Sequence, residues 1–419
     1  MSGIKLASVA LGLTIGVLAA VPANAWIRQQ PVTMFTVRGG VGGGSIEGIA
    51  VGADDNVYAV TTDGFLFVIP PNCPTAPCTV PPRQITVPDP NNPGNMIPIP
   101  NANLLGLAFT REQTPRLVVA ENNSSRVYAL NTAGTGNVPA TLVMTIPPAR
   151  GFLNAITVEN FENSVTNSRI YVSDSLNGGI WVATLSGITP VTPVQATPWV
   201  MPGKDPNGVL LPPPSPTSGA PVALFPSCCG PNGLAFSNDG TRMFVANTGW
   251  RNIIQIPVTG TPPVAGMPFI FATGINGPDG IAVEPTTSTG AGRIWVAANQ
   301  SDEIVIIDGD SNSATQGRAI DKMGDFGGFT GRVGARTGWV GLLFPASVAF
   351  SNQGGNFAGT LYVSNTPAFQ QIACNPPGPT CGPSSIDSAW AAVASPDTNP
   401  RSTVVKFERI TGFTPLAFP

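Results

Sequence analysis

One short unit recurs six times along this chain, and that recurrence restricts the fold more than any other feature. Each copy opens on an apolar strand of the form G-[IL]-A-[VF] or a close variant. The strands begin near Glu47, Leu105, Asn154, Asn232, Asp279 and Ala346. A turn follows, then a second strand, reading "NVYAVTT", "RLVVAEN", "RIYVSDS", "RMFVANT", "RIWVAAN" and "TLYVSNT" in the six copies. Third strands read "GFLFVIP", "RVYALNT", "GIWVATL", "NIIQIPV", "EIVIIDG" and "TVVKFER". A weaker fourth strand, such as "TLVMTIP" or "MPFIFAT", precedes most new copies. Short strands rich in Val, Ile and aromatics, repeated at this interval, are the signature of propeller blades. Each blade exposes an apolar face that only its neighbours can cover, so the ring must close. The expectation is an all-β, six-bladed propeller with four-stranded blades. Its outermost closing strand comes from either "VTMFTV" (32–37) or the C-terminal "FTPLAF" (413–418).

Gly 48 and Pro 45 fall in clusters between the apolar runs, as many strands joined by turns require. Insertions at 71–100, 185–228, 310–340 and 366–400 account for the uneven spacing of the copies. No break in composition divides residues 26–419, which read as a single domain. A formal charge of −3 and the lack of any basic run argue against nucleic acid as a partner. Histidine is absent, which excludes Ser-His-Asp and Cys-His mechanisms and any histidine-ligated zinc or haem.

Residues 1–25 carry one lysine, an apolar stretch and Ala23-Asn24-Ala25, the layout of a secretory signal peptide. The competing reading, a membrane anchor, needs a longer apolar run than this one. The mature chain is expected to start near Trp26 and to be secreted or periplasmic, with no membrane association after cleavage. Six cysteines in an exported chain suggest disulfides. Cys73 with Cys78, and Cys374 with Cys381, each close a small Pro-rich loop. The adjacent Cys228 and Cys229 either form a strained vicinal bond or pin separate insertion loops.

In a propeller the first strand of each blade lines the central channel, and its starting residue points toward the axis. Across the six copies that register holds Glu47, Leu105, Asn154, Asn232, Asp279 and Ala346. Four are oxygen-bearing and two of those are anionic. Such a set suits a hard cation, Ca²⁺ or another divalent ion, whose charge the two carboxylates balance. Pro-Asn-Gly and Pro-Asp-Gly are also ordinary turn sequences. Glu47 and Asn154 share the register without that turn context, which favours the metal reading.

The repeat and this Glu/Asn/Asn/Asp set resemble the senescence-marker-protein/gluconolactonase family (SMP-30/regucalcin), whose relatives include diisopropyl fluorophosphatase and the paraoxonases. Units such as "PDGIAV" also resemble NHL repeats. The resemblance implies that Glu47, Asn154, Asn232 and Asp279 hold a catalytic Ca²⁺. It implies hydrolysis of a small-molecule lactone, ester or phosphotriester, with Asp279 as base or nucleophile. The histidines that paraoxonases place near the metal have no counterpart here. Two other functions share the architecture: a non-catalytic binding propeller braced by Ca²⁺, and a strictosidine-synthase-like condensing enzyme. A closed ring has no edges to cover, so a monomer is expected.

The second strands run back toward the same face and end near Thr61, Glu121, Asp174, Asn247, Asn299 and Asn365. Asp174 and Asn247 are singled out as residues that orient the ligands or touch substrate, because their blades also carry Asn154 and Asn232. Either can equally be a turn former. Trp250 and Arg251 are candidates for the rim of the pocket.

Overall fold

The computed structural model describes residues 32–37, 44–73, 77–112, 114–147, 151–159, 167–186, 192–213, 220–224, 230–285, 292–324, 342, 344–351, 360–366 and 402–407. Among them every regular element is a strand, apart from two 3₁₀ turns at Thr248–Trp250 and Asn299–Ser301. In chain order the strands are β1 (Val32–Thr36), β2 (Ile46–Val51), β3 (Val57–Thr61), β4 (Phe65–Ile69), β5 (Arg83–Asp89) and β6 (Asn92–Pro98). Next come β7 (Leu104–Phe109), β8 (Leu117–Glu121), β9 (Arg126–Leu130), β10 (Val138–Thr145), β11 (Leu153–Val158), β12 (Asn167–Asp174) and β13 (Gly179–Ser186). The middle of the chain holds β14 (Val194–Gln195), β15 (Thr197–Val200), β16 (Pro231–Phe236), β17 (Arg242–Asn247), β18 (Asn252–Thr259), β19 (Val264–Ala265) and β20 (Phe269–Thr273). The last are β21 (Pro278–Val283), β22 (Arg293–Ala298), β23 (Glu303–Asp308), β24 (Ala319–Gly324), β25 (Pro345–Phe350), β26 (Leu361–Asn365) and β27 (Thr403–Phe407).

These strands form five hydrogen-bonded sheets in a propeller-like arrangement. Three sheets run β11-β12-β13-β15, β16-β17-β18 with β19 and β20, and β21-β22-β23-β24. A ten-stranded sheet contains β2 to β5 and β7 to β10, joined where β5 pairs with β10. The innermost strands β2, β7, β11, β16, β21 and β25 touch in that cyclic order, and β25 returns to β2.

The glycine of the recurring motif is what lets the inner strands approach so closely. A Cβ on Gly280 would lie 2.5 Å from the carbonyl oxygen of Ala346 on the next inner strand. Cβ atoms on Gly48, Gly106 and Gly233 would overlap the carbonyls of Leu105, Asn154 and Asp279. Pro-Asn-Gly and Pro-Asp-Gly therefore begin strands β16 and β21, and their glycines answer to packing around an axis.

The core lies between adjacent sheets. Tyr171 of β12 packs edge-on against Phe236 of β16, with ring centroids 5.1 Å apart. Trp295 of β22 meets Phe350 of β25 in the same way at 5.7 Å.

The fifth sheet of the cycle, β25-β26-β27-β1, is built from both ends of the chain. β1 runs antiparallel to β27, so "VTMFTV" supplies the closing strand. Met34 and Phe35 of β1 are buried, and Phe35 stacks on Phe67 of β4 at 4.7 Å. Residues 413–418 and the signal-peptide reading of 1–25 lie outside the described residues. The Pro-rich stretch 71–100 is more than a loop, since it carries the β5–β6 hairpin behind a Cys73–Cys78 disulfide. Cys228, Cys229, Cys374 and Cys381 fall outside the described residues. No described helix is long and apolar enough to cross a membrane.

Candidate functional site

One backbone hydrogen bond repeats six times and sets the depth of the axial residues. The N–H groups of Thr62, Asn122, Ser175, Thr248, Asn299 and Thr366 donate to the carbonyls of Ser45, Asn103, Phe152, Gly230, Gly277 and Phe344, at 2.8–3.3 Å. Each acceptor stands two residues before one of Glu47, Leu105, Asn154, Asn232, Asp279 and Ala346. These six residues therefore occupy equivalent positions. The pairing of every inner strand with its second strand is also broken at this point. The register shifts between Ile46 and Ile49, Leu104 and Leu107, Leu153 and Ile156, Pro231 and Leu234, Pro278 and Ile281, and Pro345 and Ser347. Such an irregularity re-aims the side chain it carries.

All six side chains line one cavity of about 90 Å³. Glu47, Asn154, Asn232 and Asp279 are brought together there at 5–9% exposure, with Leu105 and Ala346 forming its apolar part. Asn299 Nδ2 donates to Asp279 Oδ2 at 3.0 Å. Asn232 Nδ2 donates to Thr248 Oγ1 at 3.3 Å, and that hydroxyl donates to the Pro278 carbonyl at 2.6 Å.

Burial pushes the Asp279 carboxyl up to about 7, against hydrogen bonds from Asn299 and Asn232 that pull it down. Burial also holds Glu47 well above the usual carboxylate range, and the neighbouring charge of Asp279 adds to the effect. Two buried acids thus face one small cavity with no basic side chain among its lining residues. Among the described residues no three acidic or cysteine side chains cluster. A cation here would have to be held by two carboxylates and neutral amide oxygens. That donor set fits a hard, oxygen-seeking divalent ion.

The second-strand residues divide. Asp174 accepts from Phe152 N (3.0 Å), Asn177 N (3.1 Å), Asn177 Nδ2 (2.7 Å) and Trp181 Nε1 (3.4 Å), all on β13 or in the segments that flank β11 and β12. Asn247 is fully buried at the end of β17, and neither its Oδ1 nor its Nδ2 makes a hydrogen bond among the described residues. Asn299 and Thr248 are the ones that reach the axial set. Thr248 was not among the candidates from the sequence, although it ends the "RMFVANT" strand. Trp250 closes the 3₁₀ turn after it and Arg251 follows in a left-handed conformation, φ 54°. Neither lines the cavity.

Residues 216–318 match the sequence profile described as the SMP-30/gluconolactonase/LRE-like region. The matched segment contains Asn232 and Asp279, and the chain resembles that superfamily there. No curated protein matches the sequence. Among solved structures, a luciferin-regenerating enzyme superposes with a TM-score of 0.52 at 14% identity, covering 92% of this chain and 98% of its own. A calcium-binding regucalcin from Agrobacterium tumefaciens gives 0.48 at 14%, covering 90% and 92%. A gluconolactonase from Xanthomonas campestris gives 0.45 at 14%, covering 82% and 94%. At such identities the first of these speaks for the fold alone.

Proposed function

We propose that this chain is a six-bladed propeller that hydrolyses a small lactone or ester with the help of a divalent cation, Ca²⁺ before others. The six-blade reading rests on the cycle of inner strands, with the ten-stranded sheet counted as two blades that meet over the short β5–β10 contact. One observation carries the functional reading. Two carboxylates and two amides from four separate inner strands converge on a single buried cavity.

Glu47, Asn154, Asn232 and Asp279 would hold the ion. The bound cation would polarise the substrate's carbonyl oxygen. Asp279 serves as the base. Asn299 holds its carboxylate in place through Oδ2, and the carboxylate takes a proton from the attacking water as that water adds to the carbonyl carbon. The ester C–O bond then breaks and the leaving oxygen takes the proton that Asp279 removed from the water. No histidine competes for the proton. Leu105 and Ala346 present an apolar wall to the substrate's carbon frame. We extend the proposal to export: residues 1–25 act as a signal peptide, and a monomer of 26–419 works outside the cytoplasm or in the periplasm.

The test is acid release from a panel of lactones and esters, followed by pH-stat with excess Ca²⁺ and with EGTA. Turnover of at least one substrate should require the cation and be lost in Asp279→Asn, with the far-UV spectrum unchanged. Equal turnover in EGTA, or an active Asp279→Asn, would overturn the mechanism.

A further inference from the structure

The six equivalent residues that fix the depth of the axial positions differ in their side chains, and the difference follows the axial residues. Ser175 Oγ donates to the Pro231 carbonyl at 2.7 Å, Thr248 Oγ1 to the Pro278 carbonyl at 2.6 Å, and Thr366 Oγ1 to the Ile46 carbonyl at 2.7 Å. All three hydroxyls are buried, and each bond crosses to the next inner strand around the ring. The accepting carbonyls belong to the residues immediately before Asn232, Asp279 and Glu47.

Where the next axial residue is apolar, the bond is not made. Thr62 stands ahead of Leu105, and its Oγ1 accepts from Ser45 N within its own sheet. Asn299 stands ahead of Ala346 and turns back to Asp279. Asn122 stands ahead of Asn154, and its Oδ1 makes no hydrogen bond among the described residues. Three of the four polar axial residues are thus tied from the preceding strand pair, and neither of the two apolar ones is.

We propose that Ser175, Thr248 and Thr366 are positioning residues for the cation site, each fixing from one blade the backbone that aims a ligand of the next. The inference rests on the cation reading above. When both are ionised, Glu47 and Asp279 repel each other across the axis, which favours a small outward rotation of one blade. A hydroxyl bonded to the carbonyl just ahead of the irregular strand start does oppose it, because the carbonyl and the side chain turn together. Thr248 carries two such ties. It holds the backbone before Asp279 and accepts from Asn232 Nδ2, which fixes the orientation of that amide. Partners of this kind, one step behind metal ligands, commonly change metal affinity about 10–100-fold when removed.

The test compares Thr248→Val, which keeps the shape and loses the hydroxyl, with Thr248→Ser, which keeps the hydroxyl. Ca²⁺ affinity is measured by isothermal titration calorimetry, and thermal midpoints are taken in EGTA. Thr248→Val should bind Ca²⁺ about tenfold more weakly. Thr248→Ser should return to within about twofold of the parent, with the two midpoints in EGTA close together. If Thr248→Val does not fold, Ser175→Ala takes its place, with the same weakening expected. Parental affinity in the folded variant, or a Thr248→Ser no better than Thr248→Val, overturns the positioning role and leaves the cation site standing. A parent protein that binds no Ca²⁺ overturns both.

Discussion

Raising the pH should destabilise the cation-free protein, and the effect can be sized from Asp279. Its carboxyl ordinarily titrates near 3.8 and is pushed to about 7 in the folded state, chiefly by burial. Between these values the folded protein holds a proton that the unfolded chain has released. The native state therefore binds more protons, and stability falls as pH rises through the window. The full contribution is about 4 kcal/mol at 1.36 kcal/mol per pH unit, of which about 3 kcal/mol falls between about pH 5 and about pH 8. Glu47 is shifted in the same direction and steepens the slope. For 419 residues the unfolding entropy is about 0.9 kcal/mol/K, so the Asp279 share amounts to a drop of about 3 °C in melting temperature. With no histidine in the chain, no ordinary side chain obscures that interval. The assay is thermal melting in EGTA across the pH range, repeated with excess Ca²⁺ and with Asp279→Asn. The cation should flatten the slope, since it favours both carboxylates ionised, and Asp279→Asn should reduce it. Stability that is constant or rises with pH in EGTA, or an Asp279→Asn slope equal to the parent's, would refute the reasoning.

Two further perturbations probe the scaffold. Gly280→Ala should cost about 1–3 kcal/mol, read from urea denaturation, because its Cβ would press on Ala346 and Ser347 of the neighbouring inner strand. Removing residues 1–37 strips β1 from β27 and takes Met34 and Phe35 out of the core. Two such side chains account for about 3–6 kcal/mol of burial, so the shortened chain should melt lower and aggregate through the exposed β27 edge.

The inner-strand register was legible in the sequence because the same three or four residues recur in it. Backbone bonds at the six starting positions place Glu47, Asn154, Asn232 and Asp279 at one level around the ring. The contribution of Asn299 was harder to see. In "RIWVAAN" it is Ala298 that stands level with Asn247, since Pro231 pairs with Asn247 and Pro278 with Ala298, so Asn299 is the counterpart of Thr248. Asn299 lies one residue past the end of β22 and reaches Asp279 from there, and nothing in the alternation of apolar residues records it. Thr248 escaped for a related reason. A threonine at a strand end reads as turn chemistry, and its partner carbonyl lies in another copy of the repeat, 30 residues away. Which terminus closes the ring was undecided because both offered short apolar runs. The choice depends on pairing with β27, a contact between opposite ends of the chain.

That contact also dates the assembly of the site. Ser364 Oγ donates to the carbonyl of Glu47 itself across 317 residues, and Thr366 Oγ1 to that of Ile46 across 320. The acidic residue synthesised first is thus secured by side chains synthesised near the end, and contacts so distant in sequence are slow to form. A ribosome-bound or prematurely terminated chain that lacks residues 360–366 can build the intervening sheets, but it leaves Glu47 without either anchor. Cation affinity would then serve as a certificate of a finished chain, with the metal acting as the last clasp on a ring that its two ends have already drawn shut.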